Sequence, residues 1–179
     1  CSHAEVLSSL SPLERITWMQ FDLPMMKRGA LLQWTLSEAL AEHKTLLLLG
    51  CSVDEAYIER PAGAAGITIA DFRAIKVLIH PLKRSSARIR WVTNVDLKAN
   101  VPQTMMSIVT QKIAGAILSL LMREARKVSR DSGGGEGAAD SGNVYLRKLN
   151  ERRELYGGIG ALFDKYFDLY GEDDEEEGD

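Results

Sequence analysis

Cysteine is almost missing from this 179-residue chain, which holds only Cys1 and Cys51. Two thiols make neither a disulfide framework nor a zinc quartet, so cohesion must come from a packed core, and a reducing compartment is the easier setting. Histidine is nearly as scarce: His3, His43 and His80 show no metal-ligand spacing, and no HExxH or DxDxDG pattern occurs. No metal site and no cofactor are expected. Long apolar runs are lacking too, because TLLLLG at 45–50 is far shorter than the roughly 18 residues a bilayer demands. No charged n-region leads into an apolar h-region, so the expectation is a soluble, cytoplasmic protein, with peripheral contact to membranes kept open. The chain starts with Cys1 rather than methionine, which reads as a fragment or processed product.

Catalytic patterns are equally sparse. Cys51 and Ser52 stand in LGCSVDE without a GxSxG elbow or a recognisable base, so Cys51 reads as an ordinary strand cysteine. GGGEG at 133–137 lacks the Lys-Ser/Thr of a phosphate loop and reads as linker. The chain is not expected to be an enzyme. Nucleic-acid binding is not expected either, since the basic stretch KRSSARIR (83–90) has no aromatic interleaving. That stretch reads first as a solvated hairpin, with contact to an anionic membrane as the alternative.

What is present is a core's worth of apolar residues, 45% of the chain, arranged mostly with period two. Strands are predicted over 13–21, 29–36 and 44–53, the last by its length, since periodicity alone also allows a buried helix. A loop rich in Pro and Gly follows at 54–66, then a long strand over 67–82, a polar turn, and a strand from 88. In that last strand Ile89, Trp91, Thr93, Val95 and Leu97 fall on one side and should be half-buried. Pro102 suits a first helical turn, and Met105, Val109, Ile113, Ala116, Ile117 and Leu120 recur at helical spacing, predicting a long helix over 102–128 with that stripe on the sheet.

Four regions follow: a domain over 1–129, a Gly/Ser-rich linker over 130–142, a helical extension over 143–171 and a disordered acidic tail over 172–179. Up to Ser129 there are 16 Lys and Arg against 11 Asp and Glu; beyond it the numbers are 6 and 14, so the acidity belongs to the tail. The extension carries Ile159, Leu162, Phe163, Tyr166, Phe167 and Tyr170 at helical spacing. Such a stripe docks on the domain's own surface or binds a partner. Likewise, a curved antiparallel sheet closed by one long helix surrounds either an apolar cavity or a filled core, and periodicity does not tell the two apart.

The segment AIKVLIHPLKRSSARIRWVTNVDLKANVPQTMMSIVTQKIAGAI resembles the carboxy-terminal part of START domains, the lipid-transfer family related to the steroidogenic acute regulatory protein. Ile79-His80-Pro81-Leu82, Val95-Asp96-Leu97-Lys98 and Pro102 carry the likeness. Upstream, FDLPMMKRGALLQW, with Pro24 and Arg28 in register, and LLLLGCSVDEA extend it over roughly residues 13 to 129. Gly29-Ala30 stand where the family has Asp-Phe, and Ala99-Asn100 where it has Gly-Trp. The resemblance implies an α+β helix-grip fold, a curved antiparallel β-sheet closed by a long C-terminal α-helix, here as an incomplete domain lacking its amino-terminal strands. It implies lipid binding or non-vesicular lipid transfer through a cavity under that helix. It also implies a lipid-binding set of Arg28 as the polar group, with His80, Trp91, Met105, Val109, Ile113 and Ile117 as lining residues. The partners implied are a hydrophobic lipid or sterol and, transiently, a membrane surface. The alternative is an interaction module in which the START-like part is a scaffold and residues 143–171 with the acidic end bind a protein.

Overall fold

The computed structural model describes residues 1–23, 26–99, 115, 118–129 and 144–172. The chain divides into two units, one made of Cys1–Ala99 with Leu162–Asp179 and the other of Asn100–Ala161.

The first unit is built on an antiparallel sheet. Its strands are β1 (His3–Ser11), β2 (Glu14–Leu23), β3 (Met26–Ala39), β4 (Thr45–Ser52), β5 (Thr68–Ile69), β6 (Asp71–Lys83) and β7 (Ser86–Asp96). They lie in the order β1-β2-β3-β4-β6-β7. The short β5 pairs in parallel with β3 at Arg28 and Gly29, on the stretch of β3 beyond its pairing with β4. The other neighbours are consecutive in sequence except β4 and β6, which are separated by the loop 53–67 and β5; Arg84 and Ser85 make the β6–β7 turn. Pro81 is tolerated inside β6 because β4 pairs only with Ile75–Ile79, so no ladder bond is asked of the proline nitrogen on that side.

Strand β1 is a departure from the sequence reading, which found nothing strand-like before residue 13. His3–Ser11 pairs with β2 from Gln20 back to Glu14 through two bulges. Its residues are exposed apart from half-buried Leu7 and Ser8, so the strand has no clean apolar alternation to betray it. The expectation for β7 is also corrected. It is a strand over the predicted residues, yet Ile89 and Trp91 are 39% and 41% exposed and of the expected inner set only Val95 within the strand is half-buried. As an edge strand it has a single neighbour, β6, to pack against.

Register assigns side chains to the two faces. On the front face β3 places Arg28, Ala30, Leu32, Trp34 and Leu36; on the back it places Gly29, Leu31, Gln33 and Thr35. Ala30, Leu32 and Ile75 form the buried front cluster, flanked by Met19, Phe21, Trp34, Phe72 and Val77. Trp18, Leu31 and Ala64 form the back cluster, flanked by Leu7, Ile58, Ile67 and Ile69. Leu31 and Leu32 are both fully buried, on opposite faces, and each contributes about 2–3 kcal/mol by leaving water. The loop 53–67 covers the back cluster and is pinned by Arg60, whose Nε and Nη2 both donate to the Glu55 carboxylate at 2.7 Å while Nη1 donates to the Ile67 carbonyl at 2.9 Å.

A one-turn helix α1 (Leu40–His43) joins β3 to β4. Its Leu40 packs with Tyr166 and Phe167, and Phe163 flanks them, so these residues of the apolar stripe dock on the chain itself. They belong to α4 (Arg153–Tyr170).

The second unit contains the helix α2 over 118–129 and α3 (Val144–Glu151). Leu118, Leu120, Leu121 and Met122 are exposed, so Leu120 is not in the buried position the helical spacing predicts for it; at 46% exposure it is as open as Leu121 on the next position. Met105, Val109, Ile113, Ala116 and Ile117 lie outside the described residues, as do Pro24 and Pro102. In α2, Lys127 Nζ and Arg123 Nε donate to the Glu124 carboxylate at 3.0 and 3.1 Å, and the hydrogen bond from Lys127 leads in holding that carboxyl below its ordinary range.

Candidate functional site

The front face offers an apolar floor with a charged group at the margin beside Phe21. Phe21 and Phe72 meet with ring centroids 5.8 Å apart, beside Leu32, Ile75 and Val77. Trp34 lies across Gly50 of β4: a Cβ there would stand 2.9 Å from the indole ring, so the glycine makes room for it. The polar atoms on this face are tied to one another. Trp34 Nε1 donates to Thr17 Oγ1 at 2.9 Å, Trp91 Nε1 to Thr93 Oγ1 at 2.8 Å, and the Phe72 N–H to Ser52 Oγ at 2.8 Å. Satisfied in this way, they leave the floor to present mostly carbon.

Arg28 is the charged group. It is half-buried at the start of β3, opposite Phe21 on β2, and its Nε donates to the Leu97 carbonyl at 2.7 Å while Nη1 donates to the Lys27 carbonyl at 2.8 Å. Both partners are neutral. A guanidinium has five N–H donors in a planar fork, so two carbonyls satisfy part of its capacity and none of its charge. The bond to Leu97 reaches across from β3 to the residue that follows β7, which brings the end of the last strand beside the start of the third.

Of the residues the sequence nominates, the sheet brings Arg28 and Trp91 to the front face. Trp91 pairs with Val77, a member of the front cluster's flank. His80 goes elsewhere. Ile79 pairs with Leu46 on the front, so His80, next in the strand and paired with Arg88, belongs to the back face. Met105, Val109, Ile113 and Ile117 lie outside the described residues. Sequence reasoning missed Phe21, Phe72, Trp34 and Leu32 as the floor. The alternation in GALLQWTL carried the signal for two of them. The bulge between Phe72 and Ala74 hid another, because it puts Phe72 on the same face as Ile75 against simple alternation.

The resemblance's Asp-Phe is replaced here for a structural reason. The ring of Trp18 lies directly over Gly29, where any Cβ would collide with it, and the fully buried Ala30 fits under the front cluster.

The same sheet recurs in a solved protein. The crystal structure of human STARD10 superposes with a TM-score of 0.54 at 13% identity, covering 65% of this chain and 46% of that one. The fold is START-like. A second solved chain, the human StarD13 (DLC2) lipid transfer and protein localization domain, matches with a TM-score of 0.47 at 20% identity over 56% of this chain and 50% of that one. The chain therefore spans about half the length of these two solved structures. No family model and no curated protein matches the sequence. The START-like sheet, antiparallel, open and curved, with helices after it, is the helix-grip arrangement that the resemblance implies. Among the described residues, no helix is long and apolar enough to cross a membrane, and no three His, Cys, Asp or Glu gather as metal ligands.

Proposed function

We propose that the START-like part of this chain binds a lipid on its front face and carries it without chemical change. The observation that supports this most is Arg28: a half-buried cation at the edge of an apolar floor, held among the described residues by two carbonyls and no carboxylate. Leaving a cation in such a place is costly unless an anion completes it, and a phosphate or carboxylate headgroup supplies one in the bidentate geometry that a guanidinium favours. Phe21, Trp34, Phe72 and Trp91 then offer the acyl or ring portion an apolar surface, at about 25 cal/mol for each Å² removed from water. The floor supplies affinity; Arg28 supplies choice. His80 has no part in this site, since it stands on the other face.

The reading in which the extension binds a partner protein is less favoured, because Phe163, Tyr166 and Phe167 of its stripe are already packed with Leu40.

Native mass spectrometry of the delipidated chain after exposure to a mixed lipid extract tests the proposal. The expected result is a bound lipid on the unmodified chain, and for Arg28→Leu a changed distribution of headgroups with total occupancy within about threefold, because the apolar area is untouched. Occupancy by no lipid in either protein, or an unchanged headgroup distribution in Arg28→Leu, rejects it.

A further inference from the structure

The chain has five tyrosines, and all five lie among the described residues. Tyr145 stands in α3; Tyr156, Tyr166 and Tyr170 stand in α4, where the Tyr166 ring is buried and the Tyr170 ring lies 5.2 Å from it. Tyr57 is the one outside any helix or strand, in the loop 53–67 over the back cluster. At 84% exposure it is the most open of the large apolar and aromatic side chains among the described residues. The local backbone puts it there. The Ala56 N–H donates to Asp54 Oδ1 at 2.9 Å and the Tyr57 N–H to the Asp54 carbonyl at 3.1 Å, a turn that lifts Tyr57 into water while Ile58 packs against the back cluster.

The surroundings of this phenol are acidic. Asp54 and Glu55 stand three and two residues before it and Glu59 two after it, and Arg60 is the single cation in the loop. Arg60 joins the loop's two ends, because its fork grips Glu55 near the start and its Nη1 donates to the Ile67 carbonyl at the close. A protein kinase reads the residues on both sides of the hydroxyl it modifies, so its target has to stand in exposed backbone that can be drawn out. The four helical tyrosines fail that requirement and Tyr57 meets it.

We propose that Tyr57 is a phosphorylation site for a tyrosine kinase that selects acidic residues before its target, and that the phosphate loosens the loop over the back cluster. In the transfer, Tyr57 Oη attacks the γ-phosphorus of ATP. The new Oη–P bond replaces the bond from that phosphorus to the β–γ bridging oxygen, ADP leaves, and the phenolic proton passes to the kinase's catalytic aspartate. The product carries about −1.5 to −2 charge at neutral pH, in a loop that already holds three carboxylates against one guanidinium. Placed two residues from Glu55 and Glu59 and three from Arg60, it repels both acids and competes with Glu55 for the arginine's fork. Each bond drawn away from Glu55 or Ile67 unties the two ends of the loop, and Trp18 and Leu31 lose the cover of Ala64 and Ile67. The site is on the back face, so it stands or falls independently of lipid binding on the front.

Incubating the full chain with Mg2+, ATP and a purified kinase of that selectivity tests the site, mass spectrometry of the digested product locating the phosphate. A synthetic peptide of residues 50–62 is the reference for recognition of the bare sequence. The expected result is one phosphate, on Tyr57, at a rate within about tenfold of the peptide's because an exposed loop opens at little cost, and none in Tyr57→Phe. A chain left unmodified, whether or not the peptide is modified, overturns the site, and so does phosphate on Tyr145, Tyr156 or Tyr170 in place of Tyr57. Hydrogen exchange then tests the consequence. The Ala64 and Ile67 amides donate to the Pro61 and Ala64 carbonyls at 3.1 and 3.2 Å. They should exchange at least about tenfold faster in the phosphorylated chain, while Tyr57→Phe treated with kinase matches the unmodified chain. The increase should shrink near 1 M salt, where the Debye length is about 3 Å. Equal exchange at Ala64 and Ile67 before and after phosphorylation overturns the loosening.

Discussion

At the scale of single residues, two glycines show how aromatic bulk is accommodated in a sheet. Trp18 fills the back over Gly29 and Trp34 fills the front over Gly50, so each indole sits where a neighbouring side chain would stand. Gly29→Ala forces Trp18 out of its place, and the overpacking should cost about 1–3 kcal/mol, seen as a lower urea midpoint at unchanged slope. A midpoint equal to that of the parent chain would show that Trp18 moves freely. The two tryptophans were visible in the sequence, but what faces them was not, because contact across strands depends on register and register depends on bulges. Arg28 was legible as the polar group of a resemblance. Its partners were not: a search for an acid in the sequence has no means of finding the Leu97 carbonyl, 69 residues away.

At the scale of elements, β6 and β7 were legible from alternation, β2 and β3 from their strand-favouring residues, and β4 from the length of its apolar run, since TLLLLG carries no period. β1 was not, since an edge strand with polar residues has no burial pattern to show. His80 illustrates how far pattern goes. Its strand is right, but the bulge between Phe72 and Ala74 shifts the faces on either side, and only the pairing with β4 reveals which side His80 takes. The docking of α4 separates two kinds of contact. The ion pairs of Arg84 with Asp164 and Asp168 are largely exposed, with 51% of the arginine side chain open to solvent, so they hold direction more than energy. The buried Tyr166 and Phe167 against Leu40 carry the energy. Arg84→Ala should therefore cost at most about 1 kcal/mol, and Phe167→Ala about 3–5 kcal/mol. Hydrogen exchange within Leu162–Tyr170 is the measurement: protection should survive the first change and collapse after the second. The reverse order would place the energy in the ion pairs.

At the scale of the whole molecule, the sheet is close to a plain meander, and this bears on the time course of its assembly. Hairpins β1–β2, β2–β3, β3–β4 and β6–β7 each join strands adjacent in sequence, so each closes a short loop and zips without waiting for the rest. The Arg28–Leu97 bond is different: it links the start of β3 to the residue after β7 and has nothing to hold until both strands are in place. It belongs to the late side of the barrier. Replacing Arg28 by Leu should then leave the refolding rate near its parent value and speed unfolding, a φ-value near zero in a chevron experiment, whereas a Gly29→Ala change inside the β2–β3 hairpin should slow refolding. A φ near one for Arg28 would make that long-range link part of the nucleus. A clasp that closes last on the way in also opens first on the way out, so the margin of the sheet where Arg28 sits can loosen for a guest while the hairpins behind it stay formed.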